Sequence, residues 1–78
     1  MRIERDEEVQ WRRQFGDRLK RLIHIRKITQ GQFAKESGID PAMLSRYING
    51  AVMPSAYKMQ QFAKVLDCDV SILYDEDF

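Results

Sequence analysis

Residues 29–50 read TQGQFAKESGIDPAMLSRYING, and the punctuation of this stretch decides the fold. Two short helical patterns are joined by a turn. Thr29 is placed to N-cap the first, with Gln32 three residues on to complete a capping box. Asp40 is placed to N-cap the second, followed by Pro41 at the first helical position, where a missing N–H costs nothing. Each cap lies inside a staple pair, Ile28 with Phe33 and Ile39 with Leu44. Gly38 falls just past the first helix, where a left-handed residue is wanted. Phe33, Ala34, Ile39, Leu44 and Tyr47 turn inward on this reading. Such a pair of helices on a three-to-four-residue turn is a recurrent unit, and side chains must say which kind it is.

Working outward, residues 9–27 repeat apolar side chains at three- and four-residue steps: Trp11, Phe15, Leu19, Leu22 and Ile23. Arg12, Arg13, Arg18, Lys20, Arg21 and Arg26 are assigned to the remaining faces. Trp11 and Phe15 read as packing residues rather than a base-stacking platform. Downstream, the loop Ala51-Val52-Met53-Pro54 leads to Ser55, which caps a helix running to about Leu66 with Met59, Phe62, Ala63 and Leu66 inward. Asp67 is expected to end it in a left-handed turn, and Asp69 to cap a last helix from Val70 to about Tyr74. No alternating strand pattern, repeat or low-complexity segment occurs. The expectation is an all-α, compact five-helix domain over residues 9–74. Residues 1–8 form a flexible arm or helix extension, and residues 75–78 an acidic tail.

Composition narrows the function. Seventy-eight residues suit one domain with a small core and no large active-site cavity. The one cysteine, Cys68, excludes an internal disulfide, and no apolar run approaches a membrane span. A cytoplasmic location and no membrane partner are expected. The net charge of +1 hides an uneven distribution: residues 10–66 carry eleven Lys and Arg against three acids, a net of +8, between acidic ends. A basic centre suits a polyanion, although charge on a third of the chain also serves solubility. His24 is the only histidine and reads as a surface residue. There is no metal-ligand spacing, no phosphate-binding glycine loop and no nucleophile–base pair, so no catalytic residue, metal, cofactor or small-molecule substrate is expected.

The residues of the central stretch resemble the phage-repressor helix-turn-helix family (Cro-type, or xenobiotic-response-element type). The matching pieces are T-Q-x-x-F-A at Thr29–Ala34, G-I at Gly38–Ile39 and L-S-R-Y-I-N-G at Leu44–Gly50. Pro54-Ser55 and F-A-K-V-L at Phe62–Leu66 match further on. The resemblance covers roughly Phe15 to Tyr74. It implies a small regulator, of repressor type, that binds double-stranded DNA with the helix at about 41–49 in the major groove. Pro41, Ala42, Ser45 and Arg46 fall on the groove-facing positions. Of these, Arg46 can donate twice to guanine O6 and N7; its alternatives are a solvated charge or an ion pair with Glu36. The resemblance also puts Gln30 on phosphate, together with the Asn49-Gly50 side chain and backbone N–H. Thr29, Arg26 and Lys27, beside the first motif helix, are the other candidate phosphate contacts. A homodimer is expected; Ala51-Val52-Met53, Tyr57, Ile72, Tyr74 and Phe78 are either its interface or ordinary exposed apolar residues. The other reading keeps the fold as an antitoxin or adaptor whose partner is a protein.

Overall fold

The computed structural model describes residues 6–74. Five helices follow one another: α1 (Asp6–Ile25), α2 (Gln30–Ser37), α3 (Pro41–Ile48), α4 (Ala56–Leu66) and α5 (Val70–Tyr74). No strand occurs among the described residues. The first and longest helix lies against α3 and α5, α2 packs on α3 and α4, and α5 closes on α4.

Phe62 explains why the bundle holds together. Phe15 of α1, Phe33 of α2 and Tyr47 of α3 each set a ring against it, at centroid distances of 6.4, 5.4 and 5.5 Å. Tyr47 meets it edge-on. One aromatic of α4 therefore touches the three helices before it. Leu19, Ile23, Leu44, Met59, Leu66 and Leu73 fill the rest of the core. Ring pairs of this kind add about 0.5–1.5 kcal/mol each beyond the area they bury.

The local punctuation works as the spacing predicts. The Thr29 hydroxyl oxygen accepts from the Gln32 N–H at 3.0 Å, and Asp40 Oδ1 accepts from the Ala42 N–H at 3.2 Å. Ser55 Oγ accepts from the Lys58 N–H, and Asp69 Oδ1 from the Ser71 N–H. Gly38 is left-handed at φ 72°, with its N–H on the Lys35 carbonyl and that of Ile39 on Ala34. Asp67 does the same after α4 at φ 54°. The capping box at Thr29 is half closed: the Gln32 amide turns forward to Glu36 Oε2 at 2.8 Å instead of back to Thr29.

Arg18 corrects the reading of α1. Its place in the sequence put it on an outer face, yet it is 5% exposed. The guanidinium donates to the Leu73 carbonyl oxygen, at the end of α5. A helix end leaves carbonyls without intrahelical donors and carries partial negative charge. A buried cation there satisfies one of them, although Arg18 Nε has no hydrogen-bond partner among the described residues. Ser37 is also buried, with its hydroxyl unpaired. Of the arm, Asp6 to Glu8 belong to α1. Residues 1–5 and 75–78, and with them Phe78, lie outside the described residues.

Candidate nucleic-acid interface

The first side of the candidate surface is the start of α2. The first N–H groups of any helix have no acceptor within it. Here Thr29 takes two of them, its hydroxyl oxygen accepting from Gln32 and its carbonyl from Phe33 at 2.9 Å. The N–H groups of Gln30 and Gly31 remain to face outward, beside the exposed Gln30 side chain. The arrangement can take an anion: two backbone donors, an amide, and the Thr29 hydroxyl hydrogen.

The second side is α3. Leu44 and Tyr47 are buried, Met43 and Ile48 pack on the core edge, and Pro41, Ala42, Ser45, Arg46 and Asn49 are exposed. The helix thus divides as its spacing predicts. Asp40 occupies the α3 N-terminus with its own carboxylate, so that end is already neutralised and does not resemble an anion site. Whatever α3 recognises, it recognises with side chains. Among the described residues the Arg46 guanidinium has no hydrogen-bond or ion-pair partner, and Glu36 accepts from the Gln32 amide instead of pairing with it. All five donors of Arg46 stay available.

Where α3 ends, the structure differs from the expectation for Asn49 and Gly50. Both backbone N–H groups are used internally, that of Asn49 on the Ser45 carbonyl and that of Gly50 on Tyr47. They are not free for a phosphate. The Asn49 side chain is free to turn outward, since its amide is 3.4 Å from Ser45 Oγ, a long contact. Gly50 is buried and left-handed at φ 75°. Its carbonyl accepts from Arg12 Nε at 2.9 Å, a bond between residues 38 apart.

The remaining candidates flank α2. Lys27 is exposed and left-handed at φ 61°, a conformation unfavourable for a residue with a Cβ. Arg26 is exposed, and its Nη2 donates to the Asp67 carbonyl oxygen at 3.0 Å, so part of its capacity serves the end of α4. Arg26, Lys27, Thr29 and Gln30 form one run over the α1–α2 turn. Pro41, Ala42, Ser45 and Arg46 form the outer face of α3, and Asn49 lies at its far end.

Sequence reasoning missed the seat of α3 on α1. A Cβ on Gly16 would overlap the Ile48 carbonyl group and lie 2.7 Å from its carbon, so only glycine lets the helices approach this closely. Gly16 sits beside Phe15 in the apolar stripe, which is the one hint in the sequence. Among the described residues no cluster of His, Cys, Asp or Glu could hold a metal ion, and no helix is long and apolar enough to cross a membrane.

A family model for helix-turn-helix domains matches residues 18–73. Among solved structures, the chain is similar to the restriction-modification controller protein C.AhdI from Aeromonas hydrophila. The TM-score is 0.82 at 24% sequence identity, covering 90% of this chain and 100% of that one, a likeness of fold. No curated protein matches the chain by sequence.

Proposed function

The chain belongs to the helix-turn-helix family of phage-repressor type, a family of DNA-binding transcription regulators, and from that premise we propose what its own residues do. It binds double-stranded DNA sequence-specifically with α3 in the major groove, and acts as a repressor by occupying its operator. One observation carries the reading: α3 packs through Tyr47 on the Phe62 core while Arg46 stands on its outer face with no partner among the described residues. A free guanidinium on a fixed helix can donate bidentately to guanine; Ser45 reaches a base or phosphate, and Pro41 and Ala42 offer apolar contact, for example to a thymine methyl. Gln30, Thr29, Lys27 and Arg26 hold phosphates on the α2 side, and the Asn49 amide on the other. The work is recognition, not catalysis, and takes place in the cytoplasm.

The active unit is a homodimer on two half-sites about 34 Å apart or a multiple of this. Met53, Tyr57 and Tyr74 expose large apolar surface, which supports such an interface. The same surface suits the second reading, a protein-binding antitoxin or adaptor.

Selection from random duplex DNA, with wild type and Arg46→Ala, tests the proposal. A site with two related half-sites should emerge, and the variant should relax one position in each at a cost of about 1–3 kcal/mol per half-site. No enrichment, with weak binding even at low salt, would remove the DNA reading in favour of a protein partner. Sedimentation showing a monomer at high concentration, with and without DNA, would remove the dimer.

A further inference from the structure

The far flank of α3 lacks an obvious cation. Asn49 stands there, but the loop that follows, Ala51-Val52-Met53, carries none. Two arginines of α1 meet this end of α3 at Gly50. A Cβ built on Gly50 would lie 3.1 Å from each of the N, Cα and Cγ atoms of Arg13. The base of the Arg13 side chain therefore lies across the Gly50 backbone, one residue from Asn49. Arg12 and Arg13 then divide the work. Arg12 is half-buried, donates to the Gly50 carbonyl and faces Glu8 at 3.8 Å. Arg13 is exposed and, among the described residues, has no hydrogen-bond or ion-pair partner.

We propose that Arg13 is a DNA-phosphate contact, placed beside the Asn49 end of α3 by its seat on Gly50. The inference rests on the DNA-binding reading and adds to it a residue from outside the helix-turn-helix. Two features argue for phosphate rather than a base edge. Arg13 belongs to α1, not α3, so it meets the flank of the groove. A cation at the Asn49 end would add a backbone contact to those assigned to the α2 side, fixing the register of the recognition helix. A competing role is structural, since a cation near the C-terminal end of α3 also favours its dipole. The two roles predict different measurements.

The test uses a duplex enriched by the wild-type protein and compares wild type, Arg13→Gln and Arg13→Lys across a salt series. Losing one phosphate contact should lower the slope of log K against log salt by about 0.9 per bound copy, and affinity about eightfold at 0.1 M salt. The loss should be uniform across sequences, leaving the selected site unchanged, and Arg13→Lys should restore most of the slope. A dipole role would instead lower the melting temperature of Arg13→Gln and leave the slope intact, which overturns the proposal. If the wild type enriches a site and Arg13→Gln binds it with the wild-type slope, the proposal fails alone. If the wild type enriches nothing, the DNA-binding reading fails and takes the proposal with it.

Discussion

Gly16 packs against the Ile48 carbonyl with no room for a side chain between them. This fixes the distance between α1 and the end of α3, and hence the pose of the face that carries Arg46. In an isolated helix, alanine would be preferred to glycine by about 0.5–1 kcal/mol. Here the overlap is with backbone, which cannot rotate away, and overpacking of this kind costs about 1–3 kcal/mol. Gly16→Ala should therefore lower stability in urea unfolding, and weaken DNA binding of the fraction that stays folded. A stabilised variant would show that the helices are farther apart.

Lys27 should show opposite signs for stability and binding. A left-handed non-glycine residue costs about 1–2 kcal/mol, and glycine removes most of this while adding entropy to the unfolded chain. Lys27→Gly is expected to raise the melting temperature slightly and to reduce the salt slope of DNA binding by about 0.9 per bound copy. Lys27→Asn, which tolerates the same backbone without the charge, separates the two effects. A melting temperature lowered by Lys27→Gly would mean that the lysine stabilises the turn.

Arg18 ties α5 to α1 by its bond to the Leu73 carbonyl. Arg18→Ala leaves a cavity and an unpaired carbonyl, at a cost of about 3 kcal/mol. Arg18→Met keeps most of the volume and removes the burden of a buried cation, so its loss should be less than half as large. Hydrogen exchange should show α5 opening first in the alanine variant. Equal losses in the two variants would mean that the charge, not the volume, matters.

Two groups set opposite pH limits on the last turns. The Ser71 N–H holds the Asp69 carboxyl below its ordinary value. That contribution is present above the unfolded carboxylate pKa of about 4 and is lost as pH falls through the lower folded value. Burial pushes the Cys68 thiol up, against the pull of Arg26, with Asp69 and Asp67 adding to the rise. Its contribution is present below the unfolded thiol pKa of about 8.5 and is lost as pH rises through the folded value. Melting curves against pH should show Asp69→Asn losing part of the acid dependence and Cys68→Ala part of the alkaline one. Unchanged curves would remove the roles of these groups.

Much of the fold was legible because its signals are local. Thr29, Gly38, Asp40, Ser55, Asp67 and Asp69 each act on backbone within about five residues, and spacing alone places them. The outer face of α3 was legible for the same reason, since a period of 3.6 separates Leu44 and Tyr47 from Ser45 and Arg46. The free backbone donors expected at Asn49 and Gly50 were not there, because the turn after α3 uses them on Ser45 and Tyr47.

By itself, the sequence determined five helices, the caps between them, the buried stripes apart from Gly16 and Arg18 of α1, and the family to which the helix-turn-helix belongs. Tertiary structure decided which charges are spent and which are free. Arg12 meets Gly50, Arg18 meets Leu73 and Arg26 meets Asp67, across 38, 55 and 41 residues. Among the described residues the guanidinium groups of Arg46 and Arg13 have no hydrogen-bond or ion-pair partner. No periodicity distinguishes these five arginines, because each fate depends on a carbonyl that another helix end brings within reach. Helix ends present unpaired carbonyls at positions that only packing fixes, and arginine is long enough to find them.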